Sequence, residues 1–411
     1  MQWFPCFWNA TVLLTSVMKN FEKEKLPVII IGGGANALSI ARSLGRMGVK
    51  IHALNKIDAT VCSSRFATRI PLVDGKDYQK TWEKFLLGSE SDVYCPSILL
   101  AASDVGLEII ANHRSQLSRK FKLDESNVEA QLAMLDKQKT YDIAVAAGVP
   151  TPKHWKISDR QDLDAVRSSL VYPLLVKPKS SPAFTDRFKG KFFVANDFQG
   201  VLEGGEILLG AGVEFLLMEK IPGNDDLLCS YYTYLDQQGK PQFDFSKRII
   251  RRNPPNMGLG CYHITDNVPG IKELALKLFQ AAGLRGLANA EFKLDSRDGV
   301  LKLIECNARF TEANGLVAKS GFDLSRFVYK RILGLEQKPL VDFSVGERLL
   351  YPADDFRAFL ALRREGEITW RKWLQSLCHK QSFPLFSWSD PLPSLKAYWR
   401  RLKNWLSSSK K

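Results

Sequence analysis

The segment ANAEFKLDSRDGVLKLIECNAR, residues 288–309, constrains this chain more than any other. Two runs of strand-forming residues flank a turn at Ser296–Gly299, so they pair as an antiparallel hairpin. Side chains two apart on a strand share a face. Glu305 and Asn307 therefore project together, beside Glu291 on the first strand, and Arg309 continues the alternation. The intervening Ile304 and Cys306 are apolar, which commits the other face to a core. Three oxygen ligands with a guanidinium beyond them suit a hard cation such as Mg²⁺ holding nucleotide phosphates. The plain alternative is a solvated strand face with alternating polar residues.

The rest of the chain supplies an ordered setting for that hairpin. Pro27–Asn55 reads as a βαβ start: a buried strand VIII, glycines 32–34, a helix, then the strand KIHAL. Glycines there let the chain turn sharply and leave helix N–H groups open to an anion. SILLAA ends at Ser103 and Asp104, where open α/β sheets bind ligands, although Asp104 also reads as a helix N-cap. A helix from Asp136 stops at Gly148 before Pro150 and Pro152. Strands then dominate: PLLVKPK, KFFVAN, FLLMEKI, LCSYYTYL and FDFSKRII. The helix IKELALKLFQAAG precedes the hairpin, and another covers roughly Asp323 to Leu333.

Length and composition bound the answer. A chain of 411 residues, 45% hydrophobic and 11% aromatic, has enough apolar material for two or three packed domains. Its seven cysteines are scattered without a C-x-x-C pair, which indicates a reducing compartment, the cytoplasm, and neither a disulfide framework nor a zinc site. The net charge of +14 is compatible with polyphosphate substrates, a membrane surface, nucleic acid or plain solubility. No apolar run is long enough to span a bilayer. The apolar start, residues 1–24, reads as a disordered extension or as an upstream start codon, with Met18 opening the natural chain.

The hairpin resembles the metal-binding hairpin of the ATP-grasp superfamily, whose second strand carries E-x-N-P-R. Here the motif is E-C-N-A-R, with Ala308 in place of Pro. Other landmarks follow in the family's order. Lys137, in MLDKQKTYDIAVAAGVPTP, and Lys177, in YPLLVKPK, match the nucleotide-binding lysines. Glu219 and Ile221, in LLMEKIPG, match the segment that meets adenine, and Asp226 matches an acid that holds ribose. The glycine-rich loop of many relatives is replaced by SSPAFTDRFKGKFFV, where Lys191 and its basic neighbours are expected to cover the phosphates.

The resemblance implies an α/β and α+β chain with the ATP-grasp fold. A Rossmann-like pre-ATP-grasp domain is expected at 25–125 and the ATP-grasp domain at 126–340. Its small lobe would span about 140–215 and its large lobe about 216–340, followed by a C-terminal helical extension at 341–411. It further implies an ATP-dependent carboxylate–amine ligase working through an acyl phosphate, with ATP and Mg²⁺ (or Mn²⁺) as cofactors. Glu291, Glu305 and Asn307 would hold the metal, Lys137 and Lys177 the α- and β-phosphates, and Arg309 the transferring phosphoryl group. Small carboxylate and amine substrates are expected and nucleic acid is not. Homodimers are common among the relatives.

Two further expectations come from residue pattern. Lys247 and Arg251 share the strand face of Phe243, Phe245 and Ile249, and are candidates for the substrate carboxylate or γ-phosphate. A basic outer strand edge is the alternative. PSLKAYWRRLKNWLSSSKK reads as a helix capped by Ser394, with Leu395, Tyr398, Trp399, Leu402, Trp405 and Leu406 in a stripe. Residues 394–411 would lie in a lipid interface or dock on the protein body. The chief rivals are biotin-carboxylase-like carboxylation and an NAD-dependent oxidoreductase. The latter is weakened because ALNK places no acid at the end of the second strand.

Overall fold

The computed structural model describes residues 25–72, 77–178, 192–335, 337, 339 and 342–408, with the backbone alone at 404–408. Three sheets organise the chain. The first is parallel, in the order β3-β2-β1-β4: β1 Val28–Ile31, β2 Ile51–Leu54, β3 Thr68–Arg69 and β4 Ile98–Ala101. Helices cover both faces, as a parallel sheet whose strands β1 and β2 are fully buried requires. Helix α1, Ala35–Arg46, lies on one face; α2, Tyr78–Leu87, and α3, Asp104–Asn112, cover the other through Trp82, Phe85 and Ile109.

Two helices, α4 Val128–Leu135 and α5 Lys137–Ala146, lead to a small antiparallel sheet ordered β5-β8-β6-β7. Its strands are β5 His154–Ile157, β6 Leu174–Pro178, β7 Phe193–Ala195 and β8 Phe215–Glu219. Helices α6, Arg160–Val166, and α7, Phe198–Gly210, pack on it. Helix α7 is absent from the strand-dominated expectation, because FQGVLEGGEILLG carries four glycines. One of them, Gly205, lies so near the Phe215 ring that an added Cβ would sit 3.1 Å from it. The glycine that weakens helix propensity is the one that lets this helix approach the sheet.

The third sheet has six antiparallel strands in the order β13-β12-β9-β10-β11-β14. They are β9 Leu228–Leu235, β10 Phe245–Asn253, β11 Leu259–Thr265, β12 Gly286–Leu294, β13 Leu301–Asn307 and β14 Arg348–Leu350. Helices α4, α5 and α8, Ile271–Ala281, bury one face. Helices α9, Asn314–Lys319, and α10, Leu324–Ile332, pack with α1 in a continuous core that reaches Tyr232 and Phe245. The parallel sheet is thus bound to the six-stranded sheet by apolar burial, the dominant favourable term in folding.

Two expected boundaries move. The small lobe drawn as ending at 215 cuts β8, which belongs to the small sheet through Glu219 because it pairs with both β5 and β6. The start drawn at 140 cuts α5, which packs in one core with β12 and β13 and with Leu175, Leu216 and Met218 of the small sheet.

After β14 the chain forms α11 Pro352–Arg364, α12 Trp370–Leu377 and α13 Leu392–Ser408. Phe359 stacks on Trp373 with ring centroids 4.6 Å apart, tying α11 to α12. The expected cap of α13 is corrected: Ser394 lies inside the helix, buried, with its hydroxyl donating to the Pro391 carbonyl. Docking of the apolar stripe on the body is also corrected. The side turned to the protein carries Pro393, Ser394 and two ion-paired arginines, Arg400 to Asp58 and Arg401 to Asp354. Leu395, Trp399 and Leu402 point outward, half-exposed Tyr398 lines an apolar hollow with Tyr351 and Phe383, and the side chains of Trp405 and Leu406 lie outside the described residues.

Candidate active site

The hairpin forms in the expected register. Glu291 pairs with Glu305, Ala290 with Cys306 and Asn289 with Asn307. Residues directly opposite in an antiparallel ladder share a face, so the two carboxylates and both asparagines stand together. Cys306 and Ala290 point the other way, into the core beneath α4 and α5. Asn307 Nδ2 donates to Asn289 Oδ1 at 3.1 Å, which fixes the orientation of the Asn307 amide. An oriented amide oxygen beside two carboxylates is a hard-cation donor set, and these residues fit Mg²⁺.

Register carries the row further than the hairpin. Glu291 also pairs with Ser230 on β9, and Ser230 pairs with Lys247 on β10. One lateral line of the sheet therefore reads Glu305, Glu291, Ser230, Lys247. Lys247 is buried, with Nζ 3.5 Å from His263 Nδ1. Burial lowers the Lys247 pKa, and Glu291 opposes that shift. Burial and then the Lys247 charge push His263 down to about 3. His263 is therefore neutral at ordinary pH, its Nε2–H donating to the Gly260 carbonyl and its Nδ1 facing the lysine.

Arg309 lies just beyond β13, and its Nε donates to Asp104 in the first turn of α3. Burial works against the Arg309 charge, but Asp104, with Glu305 and Glu312, more than restores it. The N-cap reading of Asp104 is corrected: the cap is Ser103, whose Oγ accepts from Gly106 N at 3.1 Å. This frees Asp104 to join a second sheet.

The βαβ turn also differs from expectation. Gly32 and Gly33 have φ of +70° and +85°, and a Cβ on either would strike Ser103 or Ala102. The turn brings β1 close to β4 as predicted, yet an external anion is not what meets the helix. Glu312 Oε2 accepts from Ala35 N at 2.9 Å, and Tyr351 donates to the same oxygen at 3.2 Å. An internal carboxylate thus occupies the helix N-terminus where a dinucleotide pyrophosphate would sit, which removes the structural basis of the oxidoreductase reading.

The residues expected to meet a nucleotide lie on the small sheet and on the adjoining helix α5. The Lys177 ammonium lies 3.9 Å from Met218 Sδ, and the Tyr141 hydroxyl lies 3.0 Å from the same sulfur while donating to the Ile304 carbonyl. Tyr141 thereby joins Lys177 to β13. Lys137 opens α5, which Asp136 caps. A cleft of about 360 Å³ has Asp104, Lys137, Tyr141, Glu214, Glu305 and Asn307 in its walls.

Glu219 is buried and ion-paired with Arg297 of the hairpin turn at 2.6 Å. The Ile221 carbonyl accepts from Lys293 Nζ at 3.0 Å and the Gly223 carbonyl from the same ammonium at 2.6 Å. Burial, then the nearby Arg252 charge, lowers Lys293 to about 8. Asp226 is exposed, whereas its neighbour Asp225 is consumed by Arg252 Nε at 2.7 Å. Lys191 lies outside the described residues.

Arg251 does not join the site. It is buried on Asp355 at 2.6 Å, with Ser376 and Trp373 completing the cluster, so its proposed substrate role is corrected to an anchor for α11 and α12. A bulge between Ile249 and Arg251 separates it from Lys247. Asp104, Ser230, Glu312, Lys293 and Arg297 are the site residues that the sequence reasoning missed or left unassigned. Only Asp104 had carried a signal, its place at the end of β4.

No protein-family model matches the chain. D-aspartate ligase from Enterococcus faecium is similar at 23% identity over 375 residues, covering 85% of this chain and 88% of the relative. The biotin carboxylase domain of Hydrogenobacter thermophilus 2-oxoglutarate carboxylase, solved with MgADP and bicarbonate, superposes with a TM-score of 0.61 at 14% identity. That match covers 79% of this chain and 74% of the other. An L-amino acid ligase from Bacillus licheniformis gives 0.55 at 17% identity, over 75% of each chain. The chain has the fold of the ATP-grasp enzymes.

Proposed function

We propose that this ATP-grasp chain is an ATP-dependent carboxylate–amine ligase that forms an amide through an acyl phosphate, with an amino acid as one substrate. The observation that carries this reading is the polar row Glu305–Glu291–Ser230–Lys247, with Asn307 and Arg309 at its end and Lys177 on the small sheet against Met218. Similarity to D-aspartate ligase along most of both chains supports it.

In this reading a substrate carboxylate oxygen attacks the γ-phosphorus of ATP, and the bond to the bridging oxygen breaks to release ADP. The amine then attacks the acyl phosphate, phosphate leaves, and the nitrogen gives up a proton. Such transfers need chiefly positioning and charge neutralisation. Glu291, Glu305 and Asn307 would hold Mg²⁺ (or Mn²⁺), which when bound neutralises phosphate charge. Lys137 and Lys177 hold the α- and β-phosphates, and Arg309, aimed by Asp104, meets the transferring phosphoryl group. Ile221 and Glu219 face adenine, and the exposed Asp226 takes the ribose hydroxyls. Lys247, kept dry beside neutral His263, holds the substrate carboxylate.

The same reading takes residues 25–125 as a Rossmann-like pre-ATP-grasp domain and the helices after 341 as an extension of the catalytic body. It places the enzyme in the cytoplasm, as a homodimer.

The test is ADP release from Mg·ATP against pooled amino acids and small carboxylates, with wild type beside Glu305→Ala. Release that needs both a carboxylate and an amine, and vanishes in the variant, is expected. Release driven by bicarbonate alone would favour carboxylation, and absence of ATP binding by calorimetry would overturn the assignment.

A further inference from the structure

We infer that the outward face of α13, together with Trp388 beside it, is a docking surface for an anionic lipid bilayer. At about 100° per residue, Leu392, Leu395, Trp399 and Leu402 fall within one arc of about 80°. All four are exposed, Leu395 at 60% and Trp399 at 70%. Lys396 and Lys403, both exposed, border the same arc. The opposite side of the helix is turned to the protein and held there by Arg400 on Asp58 and Arg401 on Asp354. An amphipathic helix that packs on its own domain buries its apolar side; this one binds through its polar side and presents the apolar one.

Trp388 extends the patch. Its side chain is 90% exposed, yet the segment that carries it is fixed. Two residues on, buried Asp390 accepts from Arg42 Nε at 2.9 Å, Ser64 Oγ at 2.7 Å and Arg65 N at 3.0 Å. Trp388, Leu392, Lys396 and Arg65 line one shallow hollow, so the loop and the helix form a continuous surface. A rigidly held, fully exposed tryptophan beside a leucine stripe has the composition of a membrane-interface belt.

Charge selects the occupant. The side chains flanking this face are basic, which repels a second copy of the same face and attracts an anionic surface, and the overall charge of +14 adds to that attraction. No helix among the described residues is long and apolar enough to cross a membrane, so α13 would lie in the interface plane. Dispersed Lys with Trp and Leu at the crest fits lipid headgroups above an acyl boundary. A soluble polyanion would leave the apolar crest in water.

The test is sedimentation of the full chain with vesicles of phosphatidylcholine alone and with about one-third phosphatidylglycerol. Binding to the mixed vesicles is expected, weakened by salt. The double variant Leu395→Ser/Trp399→Ser should lower the partition coefficient at least about tenfold, and Lys396→Glu/Lys403→Glu comparably. Both variants should keep the wild-type melting temperature, because none of these side chains ties the helix to the body. Brominated lipid should quench wild-type tryptophan emission more than that of Trp388→Phe/Trp399→Phe. Two results would overturn the proposal. One is equal partition of wild type and variants. The other is a wild-type dimer, seen by light scattering, that the serine variant dissociates while neither protein sediments with lipid.

Discussion

Arg309 and Asp104 form an ion pair across 205 residues of sequence, joining the acidic hairpin to the first turn of a helix on the parallel sheet. Arg309 has one more fixed contact, Nη1 to the Phe310 carbonyl at 3.2 Å. Its direction therefore depends on a carboxylate from a different layer of the molecule.

Asp104→Asn should leave nucleotide affinity near wild type and lower kcat by roughly ten- to a hundredfold, since a positioned cation acts mainly in the transition state. Steady-state kinetics with calorimetric ADP binding separates the two terms. Weakened ADP binding with unchanged kcat would assign Asp104 to the nucleotide pocket instead.

Lys293 holds the carbonyls of Ile221 and Gly223, so it fixes the backbone assigned to adenine. Lys293→Met should weaken ADP binding by roughly five- to tenfold, the value of one or two charge-assisted hydrogen bonds lost from a positioned segment. GTP discrimination, measured by competition, should fall with it. An unchanged dissociation constant would show that the segment holds its shape without the ammonium.

Asn307→Asp keeps the size of the side chain and adds a third carboxylate to the row. Metal-dependent ADP binding should shift in favour of metal and lose its match to phosphate charge. Turnover is expected to drop about tenfold or more while Mg²⁺ dependence moves to lower concentration. Titration of activity with Mg²⁺ checks it; an unchanged titration would place the metal elsewhere.

Asp124 sits where the parallel sheet meets the rest of the chain, its Oδ1 accepting from Tyr234 at 2.5 Å. Burial pushes its carboxyl up to about 7, against the Tyr234 hydrogen bond. The folded pKa lies above the unfolded value of about 4, so the folded state keeps a proton that the unfolded chain releases between these values. Stability from this group is complete below about pH 4 and is lost as pH rises through 7. Asp124→Asn should flatten that dependence and raise the urea midpoint at about pH 8 more than at about pH 5. Equal changes at both pH values would contradict the buried-acid reading.

Arg251 and Asp355 are both buried and have side-chain exposures of 6% and 1%. Removing one partner strands a charge, and Asp355→Ala should cost about 3–5 kcal/mol in urea unfolding. Arg251→Met/Asp355→Leu should recover most of that loss, because paired apolar replacements leave no orphaned charge. If the single variant is as stable as wild type, the pair does not anchor α11.

The candidate metal ligands were legible in the sequence because alternation on a strand is local: Glu305, Asn307 and Glu291 need only the hairpin and its register to meet. Lys137 and Lys177 became candidates for a different reason, their order along a family-like series. What adjacency in sequence cannot supply is lateral alignment between strands. Ser230 and Lys247 stand in line with Glu291 only because β9 lies between β12 and β10, and that order follows from which apolar faces bury together.

The sequence by itself thus determined the strand-borne chemistry: the hairpin, its acidic face, and the amphipathic character of the last helix. Tertiary structure decided the partners. It put Asp104 on Arg309, filled the first helix N-terminus with Glu312, assigned Arg251 to Asp355, and chose which side of α13 faces water. Each is an electrostatic contact between distant segments, and a charge has no periodicity that names its counter-ion. Only the packing of the three sheets brings those segments within hydrogen-bond reach.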